Sequence, residues 1–168
     1  RSKGATQALS LKSGSLFSRD VFQAVKTRAY WLLLLAYFGC GSSGLFMQGH
    51  LPAIAREHGF PPQVGALALG LIGAGGVVGA IMGGWAADRF GRYKVLITGY
   101  LLRSLGFFLM AFFVSNTTSF YIIALITGVP IFLTITVTQA AVYEIFGARI
   151  AGRMLGLIFV LHQVGSTI

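Results

Sequence analysis

Carboxylates are nearly missing from this sequence: Asp20, Glu57, Asp88 and Glu144 are the only four, against thirteen lysines and arginines. The whole charged fraction is 10%, whereas a soluble domain carries roughly a quarter. That shortage excludes a domain solvated by water on all sides. Cysteine occurs once, at Cys40 inside an apolar run, so there is neither a disulfide framework nor a thiolate pair for a metal, and Cys40 reads as a small packing residue. Also missing are segments of about ten residues alternating in polarity, which a membrane β-barrel needs. The apolar runs are about twice that length and do not alternate, so they are helices, because open sheet edges do not survive in lipid.

What is present is apolar surface: 55% hydrophobic residues and a mean hydropathy of +0.78. Nothing from Gly59 to Ala87 is charged, and from Val95 to Ala148 only Arg103 and Glu144 are. At about 1.5 Å per residue across a ~30 Å hydrocarbon core, the sequence predicts an all-α membrane protein with spans at about 29–50, 64–87, 94–114, 119–143 and 154–168. The bilayer is its first partner. The net charge of +9 is scattered between apolar segments instead of forming a basic face with interleaved aromatics, so nucleic acid is not expected as a partner. There is no nucleophile, metal-ligand or phosphate-loop constellation. Gly73-Ala74-Gly75-Gly76 lies inside a span and lacks the strand and lysine of a phosphate cradle. No enzyme activity, cofactor or metal is expected.

The chain begins with Arg1 rather than Met and stops at Ile168 inside an apolar run, which reads as a fragment at both ends. Residues 1–28 form a basic linker ending in an amphipathic interfacial segment, "LFSRDVFQAVKTRAYW". Its length and the lack of a cleavage pattern exclude a signal peptide. The linker and the turns "DRFGRYK" and "EIFGARIAGR" carry net positive charge, while "AREHGFPPQ" and "SNTTS" carry none. The positive-inside rule therefore places the linker and both basic turns in the cytoplasm. Asn116-Thr117-Thr118 matches a glycosylation triplet, read as chance on so short a turn.

The turn between the second and third spans, "GGWAADRFGRYKVL", holds Gly84, Asp88, Arg89, Gly91, Arg92 and Lys94. It resembles the signature loop of the major facilitator superfamily, G-x-x-x-D-R-x-G-R-x-K, departing only mildly at Ala86 and Tyr93. "YEIFGARIAGRMLG", residues 143–156, resembles the same family's E-x-x-x-x-R-x-x-G-R element through Glu144, Arg149 and Arg153. The resemblance implies a twelve-helix fold in two halves, either of which carries this loop; the long basic lead-in and the non-Met start favour the second, C-terminal half, with the missing N-terminal half as its partner, over the first. It also implies a cytoplasmic gate in which Glu144 meets Arg89 or Arg92, and Asp88 meets Arg149 or a helix N-terminus of the other half. Short strings such as "WLLLLAYFGCG", "GHLPA" and "HQVG" resemble the monocarboxylate and oxalate/formate branch.

Inside the spans, Gly75, Gly79 and Gly83 recur every fourth residue, a spacing that lets two membrane helices approach closely, either as static packing or as a sliding contact. Thr134 and Thr138 share a helix face, with Gln139 on a neighbouring one. His162, about nine residues or ~13 Å into the last span, lies beside Gln163. A buried polar group in lipid is costly and so a functional candidate, and these five residues are read as a solute or proton pathway facing a central cavity. Arg103, at similar depth, is read as snorkelling or structurally paired. With no acid deep in any span, an anionic or neutral solute fits better than a cation. The expected function is secondary active transport of a small solute, a monocarboxylate or other organic anion, by alternating access, in a plasma or bacterial inner membrane. The alternatives are export of drugs or amphiphiles, or a scaffold or receptor that moves nothing.

Overall fold

The computed structural model describes residues 19–167, which form six α-helices: α1 (Arg19–Val25), α2 (Arg28–Glu57), α3 (Pro62–Phe90), α4 (Arg92–Phe112), α5 (Thr117–Phe146) and α6 (Ala148–Ser166). The fold is all-α, as expected, with no strand among the described residues. Residues 1–18 of the expected linker lie outside the described residues. So does Ile168.

Local signals set the helix ends. Thr27 caps α2, its hydroxyl accepting from the Tyr30 amide at 3.3 Å. Pro62 opens α3 at a position where the missing N–H costs nothing. Asn116 and Ser119 cap α5 reciprocally: the Asn116 side chain accepts from the Ser119 amide at 2.8 Å, and the Ser119 hydroxyl from the Asn116 amide at 3.0 Å. That capping box accounts for the Asn116 side chain. Two turns consist of a single residue each. Gly91, at φ 88° and ψ 140°, ends α3 and starts α4, and Gly147, at φ 72° and ψ 154°, does the same between α5 and α6. Only glycine adopts that backbone without strain.

α2, α3, α4 and α5 are each long and apolar enough to cross a membrane. All four outreach the apolar runs that predicted them at one end or both, because the helices continue through polar residues at the interface. α6 is not among the four: Arg149, Arg153, His162 and Gln163 dilute the apolar residues of its 19. It lies packed along α2 nonetheless. Large apolar side chains cover the outside, including Ile81 at 70% and Phe112 at 73% exposure, which water would penalise and lipid does not.

Without a hydrophobic drive between helices in lipid, association needs close van der Waals contact. The α3–α5 interface supplies it with the expected glycines. A Cβ added at Gly75 would overlap the carbonyl of Leu125, one at Gly79 the carbonyl of Val129, and one at Gly83 would sit 2.9 Å from Leu133. Across the same seam, a Cβ on Gly128 would overlap the Ile72 carbonyl. Four-residue steps on α3 thus meet four-residue steps on α5, backbone against backbone. A second seam joins α2 to α6, where Gly41 rests on the His162 carbonyl and Gly165 on that of Phe38.

Candidate functional site

The helices alternate in direction, so the turns around Gly91 and Gly147 and the start of α2 share one end of the bundle. Nearly all the charge collects there. Arg92, the first residue of α4, donates to the Glu144 carboxylate in the last turn of α5. Arg149, in the first turn of α6, pairs with Asp20 of α1. The expected pairing of Asp88 with Arg149 is therefore not formed: α1 brings a second acid to that arginine, which a reading of the turns alone did not weigh. Asp88 is exposed in the last turn of α3 and makes no salt bridge among the described residues. Arg89 and Lys94 are exposed beside it, Arg89 lying 5.9 Å from the Phe90 ring, while Arg153 is half-buried on α6. Both ion pairs are partly exposed, so each contributes only about 0–1 kcal/mol. Gly84 faces open space.

The polar interior divides in two. Gln139 is exposed on α5 and borders the same cleft as Tyr37. The Tyr37 ring packs 4.7 Å from the His162 ring, whose other neighbour is Phe159, stacked at 5.5 Å. The Nδ1 atom of His162 lies 3.1 Å from the Gln163 side-chain oxygen. His162 thus lies against Tyr37, with Gln163 beside the histidine and Gln139 beside the tyrosine. Beside them Tyr37, Gln139, Leu155, Gly156 and Phe159 line an open cleft of about 320 Å³.

Thr134 and Thr138 depart from the expectation that they face a cavity, for both are fully buried. Thr134 donates back to the Pro130 and Ile131 carbonyls, each at 2.9 Å, the common fate of a membrane threonine. Thr138 is near Tyr100, whose hydroxyl donates to the Ala36 carbonyl at 3.0 Å. Helix periodicity places the two threonines on one face. It does not say that α2 and α4 cover that face.

Of the two readings of Arg103, the structure excludes snorkelling and fits a structural contact. Arg103 is 3% exposed, and its guanidinium turns inward from α4 onto α2. There Nη2 donates to the Cys40 carbonyl at 2.7 Å and Nη1 to the Cys40 sulfur at 3.0 Å, while Nε has no partner. Cys40, taken from sequence as plain packing, is thus the arginine's polar contact. Tyr37 was missed too. A tyrosine reads as membrane interface or core, and only a contact across 125 positions, to His162, places Tyr37 at the site. Among the described residues no group of His, Cys, Asp and Glu is arranged to hold a metal.

Apolar spanning helices, glycine seams, a basic cluster at one end and a polar interior define an integral membrane protein. The sequence profile of the Major Facilitator Superfamily matches residues 2–168, and the chain belongs to that family. It is 28% identical over 169 residues to the 4-hydroxybenzoate transporter PcaK of Acinetobacter baylyi, covering 98% of this chain and 36% of the relative. Its identity to PcaK of Pseudomonas putida is 30% over 115 residues, covering 66% of this chain and 26% of the relative. The uncharacterised MFS-type transporter YhjX of Escherichia coli is 24% identical over 145 residues, 86% of this chain and 36% of its own length. The chain therefore spans about a third of the length of these relatives, which are transporters rather than enzymes.

Proposed function

We propose that this chain is the C-terminal half of a secondary transporter for organic anions, with a small monocarboxylate as solute and alternating access as its mechanism. One observation carries the reading: the four carboxylates all sit at helix ends or in α1, so the only full charge inside the spans is the cation Arg103. A site for organic cations needs a buried acid, and a site for anions needs a buried base. The relatives named 4-hydroxybenzoate transporters support the same class of solute. In this reading α2–α6 are helices 7 to 11, residues 1–28 are the cytoplasmic connection between halves, and a cavity between the halves holds the solute. His162, Gln163 and Gln139 line that cavity's wall, and the membrane is the plasma or bacterial inner membrane.

Counterflow in liposomes tests it. The full-length protein as encoded is expected to exchange labelled 4-hydroxybenzoate or benzoate and to leave the lipophilic cation tetraphenylphosphonium alone. Residues 1–168 by themselves, forming one wall of the cavity, are expected to give no more flux than empty vesicles. Cation flux without carboxylate flux overturns the anion reading in favour of an amphiphile exporter. No flux of any solute in a correctly inserted protein leaves a scaffold.

A further inference from the structure

We infer that Arg103 of α4 is the carboxylate anchor of the solute site, reached through a groove between α2, α5 and α6. The inference rests on the anion-transport reading above and adds to it the residue and the place.

A guanidinium has five N–H donors and stays charged under all ordinary conditions. Only two contacts are made here, and one of them is to a thiol sulfur, a weak acceptor. The Nε atom is buried without any partner. A buried cation with spare donors needs an anion. The chain cannot provide one: Cys40, which the guanidinium touches, is 17 residues along α2 from Glu57, ~25 Å at helical rise. Asp20, Asp88 and Glu144 sit at the charged end, about eleven residues or ~16 Å of α4 away from Arg103. The arginine is nevertheless given room. Gly44 on α2 leaves space for Nη2, which would lie 2.9 Å from any Cβ there.

Open space lies on both sides of the arginine. Arg103 lines a wide, apolar-walled recess of about 360 Å³ between α2 and α4. It also lines a small groove of about 70 Å³ on the opposite side of α2, together with Cys40, Gly44, Gln48, Ile135 and His162. This groove brings the buried cation of α4 to the histidine of α6. Its volume suits a carboxylate head and not a whole aromatic acid, since one water takes about 30 Å³ in the liquid. The apolar body of the solute then lies at the mouth, against Leu45 and Phe132, which are 51% and 40% exposed. The ligand class that fits is an amphipathic monocarboxylate, with its head on Arg103 and its body on the apolar rim. Exchange of the weak thiol contact for a carboxylate oxygen is the step that binding requires, and no bond to carbon changes.

The test uses the full-length protein as encoded, reconstituted in liposomes, with benzoate and its neutral isostere benzamide as competitors of labelled 4-hydroxybenzoate. The wild type is expected to prefer acid to amide by at least about tenfold, the factor a charge-assisted hydrogen bond provides. Arg103→Gln is expected to bring that preference to about one, with melting temperature and insertion retained. Gly44→Ala leaves every charge in place and crowds only Nη2, so it is read alongside and decides the matter where Arg103→Gln does not fold. It is expected to weaken benzoate severalfold and benzamide hardly at all. An unchanged acid-to-amide ratio in either folded variant overturns the inference while carboxylate transport stands, and makes Arg103 a packing cation paired elsewhere in the full protein. If the wild type moves no carboxylate, the functional reading falls and this one with it.

Discussion

Leucine in place of Gly79 is expected to remove nearly all correctly folded protein from the membrane, while leucine in place of Gly73 leaves the amount unchanged. The two positions lie on one helix, have the same intrinsic propensity and sit in the same apolar stretch, so propensity and hydropathy cancel in the comparison. They differ in what they face. Nothing lies within 4 Å of a Cβ on Gly73, whereas a Cβ on Gly79 runs into the carbonyl, carbon and Cα of Val129. Those are backbone atoms of α5, and no rotamer change moves them aside. α3 has to back away along its whole length, which opens the contacts of Gly75 with Leu125 and of Gly128 with Ile72 at once. Overpacking a flexible core costs about 1–3 kcal/mol, and here the loss extends to a seam held by close approach alone. Detergent-extracted full-length protein, followed by size-exclusion profile and thermal melt, checks this. A monodisperse Gly79→Leu protein with a wild-type melt would mean that the seam slides and does not set stability. Gly79→Ala adds only the Cβ and is expected to fall between the two.

Much of this was legible before any coordinates, for identifiable reasons. Lipid forces helices, and apolar length marks where they run. Gly91 was visible because it punctuates a basic turn, whereas Gly147, which does the same between α5 and α6, was not singled out. The glycine seam announced itself on α3 because four-residue spacing is local to one helix, but its partner on α5 has a single glycine, Gly128, against a row of carbonyls, and carbonyls have no sequence signature. The interior site was less legible for the same reason. Arg103 and Cys40 are 63 positions apart and Tyr37 and His162 are 125 apart, so depth could be estimated from each helix end while facing could not. The threonines show the limit clearly. Thr134 and Thr138 look like cavity residues by face and depth, and the packing of α2 and α4 buries both. At the charged end, α1 was anticipated as an amphipathic segment, yet nothing in its pattern indicated that Asp20 would take Arg149.

Replacing Asp88 with asparagine is expected to reduce solute flux at least about tenfold while leaving insertion and expression near wild type. The reason is that nothing at its own end of the bundle explains this acid. A carboxylate in the last turn of a helix opposes the macrodipole, which favours cations there, and Asp88 sits two residues before the Phe90 terminus of α3. It weakens the positive bias that holds the turn inside only slightly, and it has no salt bridge among the described residues. An isolated, exposed acid in an unfavourable place contributes nothing to this half alone, so its role is read at the contact with the other half. In the gate that the family resemblance implies, Asp88 meets a helix N-terminus of that half, where the dipole has the opposite sign. Arg92–Glu144 and Arg149–Asp20 then brace the α3–α4 and α5–α6 turns around it. Pairs worth about 0–1 kcal/mol each bias a two-state equilibrium when several act together, because the states differ by only a few kcal/mol. Asp88→Asn therefore shifts the resting population toward the inward-open state, and cysteines placed in the cavity label faster from the cytoplasmic side. Cys40, 1% exposed but on the groove at Arg103, is kept, and its labelling in the parent protein is subtracted as background. The brace has its own signature: Arg92→Glu and Glu144→Arg each lower flux, and the double reversal recovers more than either single change. Unchanged cavity labelling in Asp88→Asn, with flux intact, would reduce the whole stretch from Asp88 to Lys94 to a topology anchor.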